Sequence, residues 1–240
     1  MLEPTAVLLA HADGRPASTA FTSGSLGAND PFDRRIAYVA ADDIAAGVVH
    51  ASGEFSVDEY PYSETIVVHA GQVTLRSQEQ TLRLNPGDSA VIARGTSIRI
   101  EAQPDSLWAF CADIQPVEVG NIGLTFLAPQ TLLSPSTPPS EEILLGPTPQ
   151  CRSNNLFIEE ATNLRIGIWD STPYTRRARP HAMHELMHLT EGNIVLQLAD
   201  GSGLAVGTGD TVFVPRGAPC AWKSGVYVRK VYVCKVYVCK

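Results

Sequence analysis

The sequence predicts an all-β protein built from two similar barrels in tandem. Short segments of alternating apolar and polar residues fill much of the chain, with almost no helical periodicity, which is typical of sandwich or barrel domains. In addition, four anchor residues recur 121 or 122 positions later. The recurring pairs are Glu64 and Glu185, Gly71 and Gly192, Gly87 and Gly209, and Gly95 and Gly217. A repeat of this length indicates two copies of one structural unit.

Predicted strands follow one another along each copy, with turn residues between them. In the first copy they are 36–39, 65–69, 72–75, 81–84, 89–93, 97–101 and 106–111. In the second copy they are 156–158, 164–169, 192–198 and 211–214. The turn at 85–88 reads Asn-Pro-Gly-Asp, in which proline fixes φ and glycine supplies a positive φ. The turns are close enough together that only short strands fit between them.

The chain of 240 residues is long enough for two units that each bury a core. Residues 128–150 hold six of the 17 prolines and predict an extended linker. We therefore expect an N-terminal barrel with a leader at 1–127, the linker at 128–150 and a C-terminal barrel at 151–240. At the end of the chain, 231–235 is repeated as 236–240. The first of these pentapeptides completes the closing strand, and the second is not needed for that strand.

Composition and charge exclude several classes of function. The net charge is −7 and the basic residues are scattered, so the chain lacks the basic stripe of a nucleic-acid binder. No segment approaches the ~20 apolar residues of a membrane helix. The five cysteines are odd in number and without scaffold spacing, which indicates free thiols in a reducing cytoplasm.

The second copy carries a recognisable pair of motifs. Glu185 precedes Gly192 by seven positions, and Gly209 is followed by Pro215-x-Gly217. This pattern resembles the cupin superfamily, whose motifs are G-x5-H-x-H-x3/4-E-x6-G and G-x5-P-x-G-x2-H-x3-N. In the first motif, His181 occupies the position of the second histidine and Arg179 that of the first. In the second motif, Cys220 occupies the position of the histidine. The resemblance implies two tandem cupin (RmlC-like jelly-roll) barrels, which often pair as homodimers through their sheets.

A finer resemblance comes from 167–173, 221–222 and 228–233, together with these motifs. They are similar to the ureidoglycine-aminohydrolase-type cupins, a group that also includes ethanolamine-utilization cupins. The resemblance implies a manganese-dependent hydrolase. The first copy departs further from the pattern, since Tyr60 replaces the histidine and Ile98 stands at the Cys220 position, and only Glu64 is kept.

Strand alternation selects the candidate metal ligands. Residues two apart share a face, so His181 and Glu185 point one way while His184 and His188 point the other. With Cys220 from the second motif they form a donor set for a divalent metal, namely Mn, Zn, Fe or Ni. The alternative is a metal-free cavity in which His181 hydrogen-bonds Glu185. A bulge at 183–184 would instead turn His184 inward, and we expect His188 at the surface or a subunit interface.

Other residues of the second copy are candidates for binding a substrate. The expected aromatic walls are Trp169, Tyr174, Phe213 and Trp222. Arg179 suits a substrate carboxylate, with a solvated arginine as the alternative. The sequence therefore predicts a barrel that binds a small polar metabolite bearing a carboxylate or an amine. Either it turns the metabolite over at a metal, or it is a non-catalytic binding or sensor module.

Overall fold

The computed structural model describes residues 4–41 and 43–236, and the chain forms two compact units within that range. The C-terminal unit holds residues 4–8, Pro129–Ile158 and 163–236, and the N-terminal unit holds 9–41, 43–128 and 159–162. Both are built almost entirely of strands, so the predicted all-β, two-barrel fold is confirmed. The described helical structure is limited to two 3₁₀ turns, Glu141–Ile143 and Glu160–Thr162. None of it is long or apolar enough to cross a bilayer.

The strands of the chain are numbered in order from β1 (Val7–Ala10). Those of the N-terminal unit are β2 (Thr22–Gly24), β3 (Arg34–Ala40), β4 (Ile44–Val57), β5 (Ser63–Ala70), β6 (Val73–Arg76), β7 (Thr81–Leu84), β8 (Ser89–Ile92), β9 (Ile98–Asp113) and β10 (Leu124–Phe126). The later strands are β11 (Ser134–Ser136), β12 (Cys151–Glu159), β13 (Leu164–Ser171), β14 (Tyr174–Arg176), β15 (His184–Glu191), β16 (Ile194–Gln197), β17 (Gly203–Val206), β18 (Thr211–Val214), β19 (Trp222–Ser224) and β20 (Val228–Lys235).

The two units share one topology apart from an edge strand, which is β10 in the first sheet and β1, from the start of the chain, in the second. The main sheet of the first has the order β10-β8-β5-β9-β4-β3-β2, and that of the second has β1-β18-β15-β20-β13-β12-β11. The long strands β4 and β9 correspond to two pairs of shorter strands, β13 with β14 and β19 with β20. The pair β6–β7 of the first unit corresponds to β16–β17 of the second. The matching strand orders of the two sheets are the structural counterpart of the sequence repeat.

Glycines account for part of the repeat. A Cβ atom on Gly47 would overlap the carbonyl oxygen of Arg35, and one on Gly167 would overlap that of Asn154. Both positions therefore allow two strands to approach closely. Gly71 and Gly192 have φ values of +67° and +83°, which side chains rarely adopt. Backbone geometry thus explains why glycine recurs at Gly71 and Gly192.

Buried side chains of the N-terminal barrel form an ionic network. Arg34 donates to both carboxylate oxygens of Glu64 at 2.9 Å, and the Tyr60 hydroxyl donates to the same carboxylate at 2.9 Å. Arg34 also pairs with Asp30 at 2.7 Å and lies 4.4 Å from the ring centroid of Phe110. The side chains of Arg34, Glu64 and Asp30 are fully buried. The anchor carboxylate of the first copy is therefore held by side chains of its own barrel.

The end of the chain agrees with the expected closing strand. β20 ends at Lys235, where the first copy of the repeated pentapeptide ends. It pairs with β13 along one edge and with β15 along the other. Residues 237–240 of the second copy lie outside the described residues.

Candidate functional site

Strands of the C-terminal barrel bring their polar side chains around one cavity of about 240 Å³. Lys230 on β20 lies opposite Trp169 on β13 and opposite Leu189 on β15. Directly opposite residues of an antiparallel pair share a face, so Lys230 lies on the same face as Leu189. Residues an even number of positions apart on a strand also share a face, so Lys230 projects to the same side as Glu185. Loops before β15 and β19 add His181 and Cys220. The segment Thr137–Pro139 of the proline-rich stretch closes one side.

Glu185 is held by two cationic partners. The Lys230 ammonium donates to its Oε1 at 2.7 Å, and its Oε2 lies 3.0 Å from Nε2 of His181. Burial by itself would raise the pKa of Glu185, but Lys230 and His181 outweigh it and hold the pKa far below its usual value. Burial disfavours protonation of His181, yet Cys220 and Glu185 raise its pKa to about 9. At neutral pH the site therefore contains a carboxylate between an ammonium and an imidazolium.

Cys220 lies between two cations. Its Sγ accepts a hydrogen bond from Nη2 of Arg176 at 3.2 Å, and it also interacts with the imidazole of His181. Burial opposes ionisation of the thiol, but His181 and Arg176 lower its pKa below the usual value. Such surroundings favour the thiolate, the reactive form of cysteine.

Aromatic rings form one wall of the cavity. Tyr174 stacks on Trp222 with ring centroids 5.4 Å apart and planes at 14°, while Trp169 meets Trp222 edge-on at 5.9 Å. The Lys230 ammonium lies 4.9 Å from the ring centroid of Trp169 and 5.3 Å from that of Trp222. These cation–π contacts hold the lysine toward the cavity.

The structure corrects two expectations about β15 and β18. Phe213 pairs with Leu186, so it lies on the face opposite Glu185 and does not line the cavity. His184 stacks on Phe213 on that same face, as the strand alternation predicts, and the alternative of an inward bulge does not occur. His188 is buried at 2 % exposure and bonds Thr211 at 3.0 Å, so it is not a surface residue.

Arg179 and Arg176 have different surroundings. Arg179 contributes to the cavity lining but is exposed. Arg176 is only 8 % exposed; its Nη1 makes no hydrogen bond among the described residues, while its guanidinium group interacts with the Tyr174 hydroxyl. A buried donor without a partner costs about 1–3 kcal/mol unless a ligand or water satisfies it. The buried arginine is therefore the stronger candidate for binding an anion.

Sequence reasoning missed Arg176 and Lys230. Arg176 stands in a basic cluster that suggested solvated side chains. Lys230 lies next to Arg229 in a strand that also ends in a lysine, and its place in the alternation after Val228 is the signal that could have shown it facing inward.

The predicted metal donors are brought together, but each anionic donor already has a cationic partner. No group of three His, Cys, Asp or Glu side chains between residues 4 and 236, Asp42 aside, has a metal-binding arrangement. Lys230 lies on Glu185 and Arg176 on Cys220. A divalent ion at these donors would therefore have to displace Lys230 and Arg176.

Comparisons with known proteins identify the family. Residues 158–232 match the family model described as EutQ-like cupin domain. A protein of unknown function from Pseudomonas syringae pv. tomato, assigned to the DUF861 family, is 54% identical over 97% of this chain and 100% of its own, with a TM-score of 0.95. A search of curated proteins found no match.

More distant structures share the fold alone. A protein described as glyoxylate-induced, from Pseudomonas aeruginosa, is 17% identical over 98% of both chains, with a TM-score of 0.57. The DUF861 protein Ylba from E. coli is 13% identical over 100% of this chain and 95% of its own, with a TM-score of 0.56. On the strength of the Pseudomonas syringae relative and the shared architecture, the chain belongs to the DUF861 family of the cupin superfamily.

Proposed function

We propose that the C-terminal barrel binds a small metabolite through its carboxylate group. The observation that carries the proposal is the buried Nη1 of Arg176, a charged donor at the cavity without a partner within the described part of the chain. A carboxylate oxygen is the acceptor that satisfies a guanidinium best, and such charge-assisted bonds are about twice as strong as neutral ones.

The charge of the lining supports an anionic ligand. Four lining groups are cationic at neutral pH: Arg176, Arg179, Lys230 and the His181 imidazolium. Two can be anionic, the Glu185 carboxylate and the Cys220 thiolate. Four minus two leaves two positive charges, even with the cysteine counted as ionised. A cavity with this balance attracts anions and disfavours amines.

The walls restrict the shape of the ligand. The stacked rings of Tyr174 and Trp222 offer a flat apolar surface, and the cavity volume of about 240 Å³ fits a small molecule. Burial raises the pKa of the Tyr174 hydroxyl, so that group is a neutral donor at physiological pH. The pocket therefore suits a short planar acid with few polar atoms besides the carboxylate.

A thermal-shift panel tests this proposal on the unmodified protein. Acetate, pyruvate, oxalate and succinate are compared at equal ionic strength with acetamide, pyruvamide and ethylamine, and separately with manganese and zinc chloride. We expect at least one carboxylate to raise the melting temperature while its amide does not. A ligand at about 100 times its Kd adds roughly 2.7 kcal/mol to the free energy of unfolding. Stabilisation by the metals or the amine, with none by the acids, would favour a metal-dependent hydrolase or an amine binder instead.

A further inference from the structure

Two cysteines line the cavity in contrasting surroundings. Cys220 accepts a hydrogen bond from Nη2 of Arg176 at 3.2 Å. Cys151 lines the same cavity, but burial raises the pKa of its thiol. Both side chains are nearly fully buried, at 2 % and 5 % exposure. The difference between them is therefore electrostatic rather than one of access.

The guanidinium of Arg176 connects this thiol to the vacant hydrogen-bonding position. Nη2 bonds the sulfur, and Nη1, on the same planar group, has no partner in the described residues. A carboxylate bound at Nη1 would therefore hold its adjacent carbon next to the sulfur. The nucleophile and the bound reactant would then be in contact before they react. Such positioning can supply a large part of an enzyme's rate enhancement.

We propose that Cys220 is a nucleophile for small carboxylates whose electrophilic carbon adjoins the carboxylate group. This inference rests on the proposed function, because Arg176 must bind the carboxylate for the carbon to reach the sulfur. Arg176 stabilises the thiolate through its Nη2 hydrogen bond, and His181 and Glu185, 3.0 Å apart, line the same cavity. A cysteine beside a fixed cation is one of the general arrangements of an activated nucleophile.

The chemical step is balanced for a haloacetate. The thiolate lone pair forms a carbon–sulfur bond as the carbon–iodine bond breaks, and iodide leaves with the bonding electrons. No proton is transferred. With a 2-oxo acid, the thiolate adds to the carbonyl carbon, the C=O π electrons move to oxygen, and that oxygen takes a proton from solvent. Neither step needs an oxidant, a reductant or a further reactant.

Alkylation of the native protein tests the inference. The protein is treated at neutral pH with iodoacetate or iodoacetamide, and peptide mass spectrometry follows the rate at each cysteine. We expect Cys220 to react roughly tenfold or more faster than Cys151, because the thiolate is the nucleophile. We also expect the rate ratio of iodoacetate to iodoacetamide to be higher at Cys220 than at the partly exposed Cys234. In Arg176→Gln, that higher ratio should be lost.

The outcomes separate this inference from the proposed function. If acids stabilise the protein while Cys220 reacts no faster than Cys151, the inference is wrong and the carboxylate pocket stands. If Cys220 reacts fast with both reagents at the ratio seen for Cys234, carboxylate binding by Arg176 is refuted, and with it this inference. Fast reaction with a raised ratio that depends on Arg176 supports both.

Discussion

Replacing Arg34 with leucine is expected to lower the free energy of unfolding by about 3–5 kcal/mol, the cost of breaking a buried ion pair from one side. The variant would leave the fully buried carboxylates of Glu64 and Asp30 without their cation. Burial would oppose the charge of Arg34, but Glu64, Tyr60 and Asp30 raise its pKa well above the usual value. The arginine is therefore charged, and leucine cannot replace it. Urea unfolding at pH 7 measures the loss.

Two variants serve as controls for that measurement. Arg76→Leu breaks the partly exposed pair with Glu101, and such pairs contribute about 0–1 kcal/mol. Arg34→Leu combined with Glu64→Leu should recover part of the loss, because one uncompensated charge is removed. A loss below about 1 kcal/mol for Arg34→Leu alone would contradict the central role of the network.

The loss in Arg34→Leu should also depend on pH, with a definite sign. Burial already raises the pKa of Glu64 in the intact protein although Arg34 lowers it, so losing Arg34 would raise that pKa further. The folded variant then binds more protons than either the unfolded chain or the unmodified folded protein, so its stability rises more steeply as pH falls. The deficit relative to the unmodified protein should therefore shrink on acidification from pH 7 toward pH 5.

Arg176→Met is expected to weaken carboxylate binding about 30-fold or more, the equivalent of ~2 kcal/mol. The variant removes the buried cation whose Nη1 is the proposed partner of the ligand. Calorimetry with the acid that gives the largest thermal shift measures the change in Kd. The matched control is Arg179→Met, an exposed lining arginine whose loss should cost less than about fivefold. Melting curves establish that each variant is folded, and equal losses in the two variants would contradict the assignment to Arg176.

Much of the architecture could be predicted because each motif of the repeat is local in sequence. The anchors Gly71 and Gly192 sit in turns that require a positive φ, so their spacing reports backbone geometry directly. The motif frame likewise indicated His181, Glu185 and Cys220, and the structure places all three around one cavity. The turn glycines and the motif residues can each be recognised from residues a few positions away in the sequence.

The remaining features depend on contacts between distant residues. Arg34 meets Glu64 across 30 positions, and Lys230 meets Glu185 across 45, so no local period reveals either pair. Phe213 was assigned to the wrong face because β18 is buried on both sides and shows no alternation. Arg176 looked solvated because it stands in a basic cluster with Arg177 and Arg179. The sequence thus indicated the donors but not the cations that change their chemistry.

A crystal structure of the protein grown with both a stabilising acid and manganese chloride distinguishes a carboxylate pocket from a metal site. We expect the acid in the C-terminal cavity, with a carboxylate oxygen within hydrogen-bonding distance of Nη1 of Arg176 and Lys230 still on Glu185. A manganese ion bound by His181, Glu185 and Cys220, with Lys230 and Arg176 displaced, would contradict it.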